Sequence, residues 1–375
     1  MASTLDITPV VKDSVEDKKK GVLEFTIQNA DVSIVNGLRR TLLTNISTSV
    51  IDSKQSQFHK NTGRLHNEIL KQRLDCIPVH IKDTSLLSDL LLEVDMRNDT
   101  DSLMYITSKD FKIKNISTDT YLTDDAVEKI FPPNKLTSSY ILFSRLRPKI
   151  SSDIPGETLH FTARFKEGTA KENGAYNVVS IAAYANTPDK SRQADQWDLI
   201  EESLQEKGLN QKDIDYERKN WYTLGAKRIY LKDSFDFKCQ SVGVYSNLEL
   251  IHLACDKISQ QLQDVYDKCS SQIYEINIRS TAMKNSADFI LQGYDYTIGK
   301  IIEYVLHEEY YKGKEGSNNP LSYVGFIKNH PHDDYSIIRF AFKEEDELNK
   351  ENIYNLIMYS CNKAQEIYDA IKEYF

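Results

Sequence analysis

The sequence predicts an α+β protein in which two similar strand–helix units pack on each other within one chain. Three observations predict it. Residues 25–42, FTIQNADVSIVNGLRRTL, are matched without a gap by residues 289–306, FILQGYDYTIGKIIEYVL. Each copy reads as a short apolar strand, a polar break and an amphipathic helix. In the second copy Ile298, Ile301, Ile302, Val305 and Leu306 fall at i, i+3, i+4, i+7 and i+8, one helical face. In the first copy Ile34, Leu38, Leu42 and Ile46 form the matching stripe. Copies this far apart cannot stack as neighbours in a solenoid. Two such units imply an intramolecular pseudo-dimer with its seam along these two stripes.

Composition bounds the rest. The 375 residues are 40% hydrophobic and 27% charged, enough for two or three domains with real cores. The net charge is −9. A protein devoted to gripping nucleic acid is more often basic, because phosphate contacts supply most non-specific affinity. Little or no direct nucleic-acid contact is therefore expected. No signal peptide or membrane-length apolar run is seen, and an intracellular protein is expected. The five cysteines are dispersed without a CxxC pair, which reads as reduced thiols rather than a metal site. The abundance of Tyr, with visible Asn, Lys and Ile enrichment, hints at an A/T-rich genome.

In chain order, residues 5–11 read as a first strand and Asp13 to Lys20 as an exposed turn. Lys18, Lys19 and Lys20 suit a solvated turn better than a phosphate site. Residues 22–27 form the second strand. Asp31 or Ser33, and in the repeat Asp295 or Thr297, can cap the following helix by accepting from its free N–H groups. Arg39 and Arg40 point about 100° apart, so one can flank the seam while the other faces away. They read either as solubilising charges or as a docking anchor. A turn at 61–63 opens a short helix with Leu65, Ile69, Leu70 and Leu74 on one face, ended by Pro78. His59, His66 and His80 lie near it but match no zinc spacing.

Residues 81–185 are strand-rich, with candidates at 91–94, 105–106, 111–116, 140–146 and 159–165. Residues 189–220 read as one or two surface helices with a sparse stripe of Leu199, Ile200, Leu204 and Leu209. A strand at 235–243 precedes a long amphipathic helix at 248–266. Residues 273–278 begin the second unit. After the repeat helix come a polar break at 312–320, a strand at 336–342 and a closing helix over 349–375.

Two stretches carry a family resemblance. NGLRRTLL at 36–43 resembles the Asn-Ala-Leu-Arg-Arg helix of the alpha-like subunits of multi-subunit RNA polymerases. EILKQRLDCIP at 68–78 is similar to the segment that follows it in that family. Gly37 replaces the usual Ala, a penalty of about 1 kcal/mol inside a helix. The strand–Gly–helix at 235–266 resembles the family's return to its dimerisation domain. In the second half, DYTIGKI at 295–301 and His330-Pro331 resemble the small L-type partner subunit, with Tyr296 in place of His.

The resemblance implies a D-type and an L-type subunit fused head to tail. It divides the chain into a D-type dimerisation domain at 1–52 and 233–271, an inserted, mainly β domain at 53–232, and an L-type dimerisation domain at 272–375. It implies a non-catalytic scaffold that nucleates assembly of the two largest polymerase subunits, and leaves open whether further small subunits dock on the second half. Arg39 and Arg40 would lie at or beside a partner contact. Glu68, Arg73, Ile77 and Pro78 would shape a docking surface or the fold beneath it. Such fusions fit large DNA viruses that replicate in the host cytoplasm, in the viral factory or the virion; otherwise the protein belongs with cellular transcription machinery. No phosphate-cradling loop, zincin helix or nucleophile elbow is present. No catalytic residue, cofactor or metal is expected. One alternative is a self-contained α+β enzyme around His59, His66 and His80. Another is a DNA-binding regulator using Lys18 to Lys20.

Overall fold

The structure is a computed structural model and describes residues 8–17, 19–151, 153–279, 283–312 and 319–375. Strands β1 (Val10–Asp17) and β2 (Val22–Gln28) lead into α1 (Val32–Thr44). Then come β3 (Ser47–Asn61), α2 (Asn67–Asp75), β4 (Leu90–Arg97), β5 (Met104–Thr107), β6 (Lys112–Asn115), β7 (Thr120–Tyr121), α3 (Asp124–Ile130), β8 (Leu142–Leu146) and β9 (Thr158–Thr169). They are followed by β10 (Val179–Pro188), α4 (Lys190–Glu206), α5 (Gln211–Asn220), β11 (Tyr230–Ser241) and α6 (Asn247–Ser270). The chain ends with β12 (Ile276–Arg279), β13 (Ser286–Gln292), α7 (Tyr296–Leu306), β14 (Leu321–Ile327), β15 (Tyr335–Phe342) and α8 (Lys350–Lys372). Among the described residues no helix is long and apolar enough to cross a membrane.

Two compact units result. One contains the chain up to Leu42, Ile181–Gln240 and Asn247–Phe375; the other contains Leu43–Ser180 and Ser241–Ser246. The second unit therefore differs from the expected 53–232. Most of β10, with α4 and α5, groups with the first unit because β10 is hydrogen-bonded to β11 in its sheet.

The first unit holds two four-stranded sheets of matching order, β1-β2-β11-β10 and β12-β13-β15-β14. In both, the repeated strand is second from the edge and its helix follows directly. The turn between them uses left-handed backbone at equivalent repeat positions, Asn29 (φ 56) and Gly293 (φ 81), a conformation open to Asn and Gly and costly for most other residues. Both helices are capped by aspartate: Asp31 accepts from the Ser33 N–H at 2.7 Å and Asp295 from the Thr297 N–H at 3.0 Å. α6 buries Leu250, Ile251, Ala254, Ile258, Leu262 and Val265, and α8 buries Ile353, Ile357, Ala364, Ile367 and Ile371. These spacings of three and four give each helix one apolar face. The two helices pack on each other, with Gln365 Nε2 of α8 donating to the Ser259 carbonyl of α6 at 3.0 Å.

Two expectations fail in this unit. Residues 13–17 are strand, not turn: β1 continues past an irregularity at Lys12/Val15, where Asp13 takes φ 52, and pairs Val15 with Glu24 and Asp17 with Val22. Lys19 and Lys20 sit in the exposed turn beyond it, while Lys18 and residues 5–7 lie outside the described residues. In α4, Leu199 is exposed, and Gln193 and Trp197 are buried instead.

The second unit contains a five-stranded sheet, β3-β9-β4-β6-β7, and the pair β5-β8. Its core includes Leu70 and Leu74 from α2, with Phe111, Phe131, Phe143 and Phe161. Phe111 meets Phe131 and Phe143 edge-on at 5.3 and 5.6 Å, a favoured aromatic geometry. The 15-residue β3 was not expected, because its outer half, Lys54 to Asn61, carries mostly polar side chains. Register shifts between Asp52 and Gln57, and between Phe58 and Lys60, let it follow β9.

Candidate functional site

The candidate site of the first unit is the contact between α1, α7 and α8. Ile34, Leu38 and Leu42 of α1 are at most 1% exposed, as are Ile298, Ile301, Ile302 and Val305 of α7. Ile46 lies beyond the end of α1. A Cβ built on Gly37 would stand 2.9 Å from Ile301 Cδ1 and 2.6 Å from the Tyr368 hydroxyl. Glycine thus allows a close approach of α1 to α7 and α8. Ile301 is also the repeat counterpart of Gly37, so the two copies of one repeat position face each other. Tyr368 is fully buried and donates its hydroxyl hydrogen to the Ile34 carbonyl at 2.9 Å.

Arg40 of α1 reaches the capped end of α7: Nε donates to Thr297 Oγ1 at 2.8 Å, and Nη2 donates to Asp295 Oδ2 at 3.1 Å. The repeat counterpart of Arg40 is Tyr304, on α7. Burial pushes the Tyr304 phenol well above its ordinary range, and the Asp31 carboxylate at the cap of α1 adds to the rise. Residue 40 of the first copy therefore meets the cap of the second. The sequence offers Asp31 or Ser33, and Asp295 or Thr297, as caps; the structure uses the aspartates, and the Arg40 pairing depends on the tertiary contact.

Arg39, by contrast, is half-buried on α1, its Nε donating to Asn36 Oδ1 at 3.0 Å. The remaining predicted contact residues lie in the second unit. Glu68 is exposed on the first turn of α2 and pairs with Lys71 at 3.4 Å. Arg73 Nη2 donates to the Leu142 carbonyl at 2.7 Å. Ile77 is buried in the unit's core, and Pro78 is half-buried beside it. Ile69, expected on the apolar face of this helix, is 42% exposed.

The three histidines have separate surroundings. The His59 ring is tilted at 44° to that of His160, with centroids 4.6 Å apart. His66 precedes α2 and makes no side-chain cap bond. Burial, with Lys135 and Lys82 nearby, lowers the pKa of the His80 imidazole. Among the described residues, no group of three or more His, Cys, Asp or Glu side chains is arranged to hold a metal ion. Burial pushes the thiols of Cys239, Cys255 and Cys269 up to about 12, which leaves them protonated and inert.

The chain is 28% identical over 180 residues to the "Conjugation stage-specific protein" of Tetrahymena thermophila, covering 44% of this chain and 56% of that one. It is 35% identical over 63 residues to the DNA-directed RNA polymerase subunit Rpo3 of Pyrococcus furiosus, covering 17% of this chain and 23% of the relative. The match to Rpo3 of Thermococcus kodakarensis is 31% over 70 residues, or 19% and 26%. The chain thus spans from about a quarter to just over half the length of these relatives. The model of the RNA polymerase Rpb3/Rpb11 dimerisation domain matches residues 24–262, more than half of the chain, from the middle of β2 into α6. The protein belongs to the Rpb3/Rpb11 dimerisation-domain family of RNA polymerase subunits.

Proposed function

We propose that this chain is a non-catalytic assembly scaffold of a multi-subunit DNA-dependent RNA polymerase, with a D-type half and an L-type half paired inside one polypeptide. The observation that carries the reading is the contact of α1 with α7, in which Arg40 donates to Thr297 and Asp295 at the cap of α7 and Gly37 stands against Ile301. The family match ends at residue 262. The L-type assignment of residues 272–375 is supported separately, by the repeated strand–cap–helix motif and the matching order of the two sheets. Fusion replaces a diffusional encounter of two subunits with an intramolecular one at high effective concentration. A seam already filled from within leaves no need for a second copy, so the chain is a monomer before assembly.

In this reading Arg40 closes the internal seam and Arg39 is the docking arginine toward a large subunit. Glu68 is an exposed contact in an inserted docking domain, and Arg73, Ile77 and Pro78 hold its surface in shape. The two largest subunits supply the catalytic groups. The fused arrangement and the Tyr-, Asn-, Lys- and Ile-rich composition support a large cytoplasmic DNA virus as source. The test is co-expression with the two largest polymerase subunits of the same source. Wild type should co-purify with both, and the Arg39→Glu variant, which leaves the Arg40 contact intact, should lose them. Full assembly of that variant would sink the docking assignment.

A further inference from the structure

We infer that the second unit carries a docking cleft for an acidic peptide segment with an apolar anchor. Four arginines line a single cavity of about 390 Å³. Arg64 comes from the loop after β3, Arg73 from α2, Arg145 from β8, and Arg147 from just beyond it. One carboxylate lines the same cavity, and it is already engaged. Glu157 is 6% exposed; its Oε2 accepts from the Arg147 main-chain N–H at 2.7 Å, and its Oε1 accepts from Arg147 Nε. Arg73 is held by the Leu142 carbonyl. Arg145 is exposed and lies over the Tyr105 ring at 5.8 Å. Arg64 is exposed, and no partner for it is found among the described residues. Arg64 and Arg145 are therefore the guanidiniums free to receive a ligand's carboxylates, with Arg73 and Arg147 fixing the field behind them.

The wall between these charges is apolar: Leu65, Leu103 and Leu142 line it, and Leu103 is 41% exposed. The volume is at the small end of ligand-binding clefts, enough for one or two side chains and not for a folded surface. Arginine clusters recognise acidic motifs through paired N–H donors. The chain as a whole carries −9, so an acidic partner is repelled by most of the surface and steered to this patch. A nucleic-acid strand fits less well. Single strands bind by stacking bases on open aromatic faces, and here leucines, arginines, a serine and a glutamate line the cavity instead. The inference stands on the geometry of this unit and does not depend on the polymerase reading.

The experiment is fluorescence polarisation with the full chain and a fluorescein-labelled peptide of about twelve residues, a Leu-Phe pair flanked by Asp and Glu, long enough to anchor and reach both arginines. Saturable binding is expected, weakening several-fold between about 50 mM and about 500 mM salt. Arg64→Glu and Arg145→Glu should each weaken binding about tenfold, and Arg64→Gln should weaken it less. Both positions are exposed, so the variants should melt like wild type. The Asn/Gln version of the peptide, and the version with Ala for Leu-Phe, should each bind poorly. Equal binding by either charge-reversal variant, or by the uncharged peptide, would overturn the inference. Equal competition by an oligothymidylate of the same charge would replace it with a general polyanion site.

Discussion

Gly37 gives the sharpest test of the helix contact, because two opposing effects meet at one atom. Gly37→Ala removes a glycine from a helix interior, worth about 1 kcal/mol in favour of the variant. The added methyl would stand 2.6 Å from the Tyr368 hydroxyl and 2.9 Å from Ile301 Cδ1. Both side chains are fully buried, so relief requires a shift of several tenths of an ångström in a packed interior. Overpacking of that kind costs about 1–3 kcal/mol. The balance predicts destabilisation by about 1 kcal/mol where propensity alone predicts a gain. Tyr368→Phe removes the nearer obstacle and one hydrogen bond, for a loss of about 1 kcal/mol. The double variant should be more stable than the sum of the singles by about 1 kcal/mol, because the methyl enters space the hydroxyl has left. With two compact units in the chain, hydrogen exchange resolved on α1 and α8 is the suitable readout, since it reports local opening. Exchange in α1 should speed up in Gly37→Ala and recover in part relative to the additive expectation in the double variant. Slower exchange in Gly37→Ala, or strict additivity, would refute the close approach.

Three further outcomes are expected. Arg40→Ala should lower the protection of α7 by only about 0.5–1 kcal/mol, because its pair with Asp295 is more than a third exposed; Asp295→Asn in the Arg40→Ala background should then cost less than it does alone. The His80 imidazole is held below its ordinary value of 6.5, so the unfolded chain binds the proton more readily. This group's contribution is complete above pH 6.5 and falls away as the pH drops toward the folded value, and proton NMR titration of His80 should give a midpoint below 6.5. A thiol reagent should label Cys76 quickly in the native chain and the other four cysteines only on unfolding, because Cys76 alone of the five is exposed; fast labelling of Cys255 or Cys361 would contradict the packing of α6 on α8.

The legible parts of the fold are those written in local periodicity. The stripe at Ile298, Ile301, Ile302 and Val305 specifies a helix with one buried face, and Asp31 or Ser33, with Asp295 or Thr297, mark where each repeat helix begins. Both signals are short-range, and the repetition doubles them. The illegible parts depend on what distant residues do. Asp13 to Asp17 is acidic and looks like a turn, yet it is strand because β2 supplies its hydrogen bonds. The outer half of β3 is polar and looks like loop, yet β9 pairs with it. Gly37 looks like a flaw in a helix until Ile301 and Tyr368 are set against it. Of the site, the apolar stripes were readable as buried helix faces, and Arg40 was readable only as an arginine beside one of them. The arginine cleft was not readable at all, since Arg64, Arg73, Arg145 and Arg147 come from separate stretches and share no spacing.

The most direct test of the scaffold is isolation of the tagged full-length chain from its native source under mild conditions, followed by native mass spectrometry. The account predicts one copy of this chain with one copy each of two very large polymerase subunits, and a monomer when those subunits are stripped away. A stable homodimer, or a monomer that never recovers the large subunits, would contradict it.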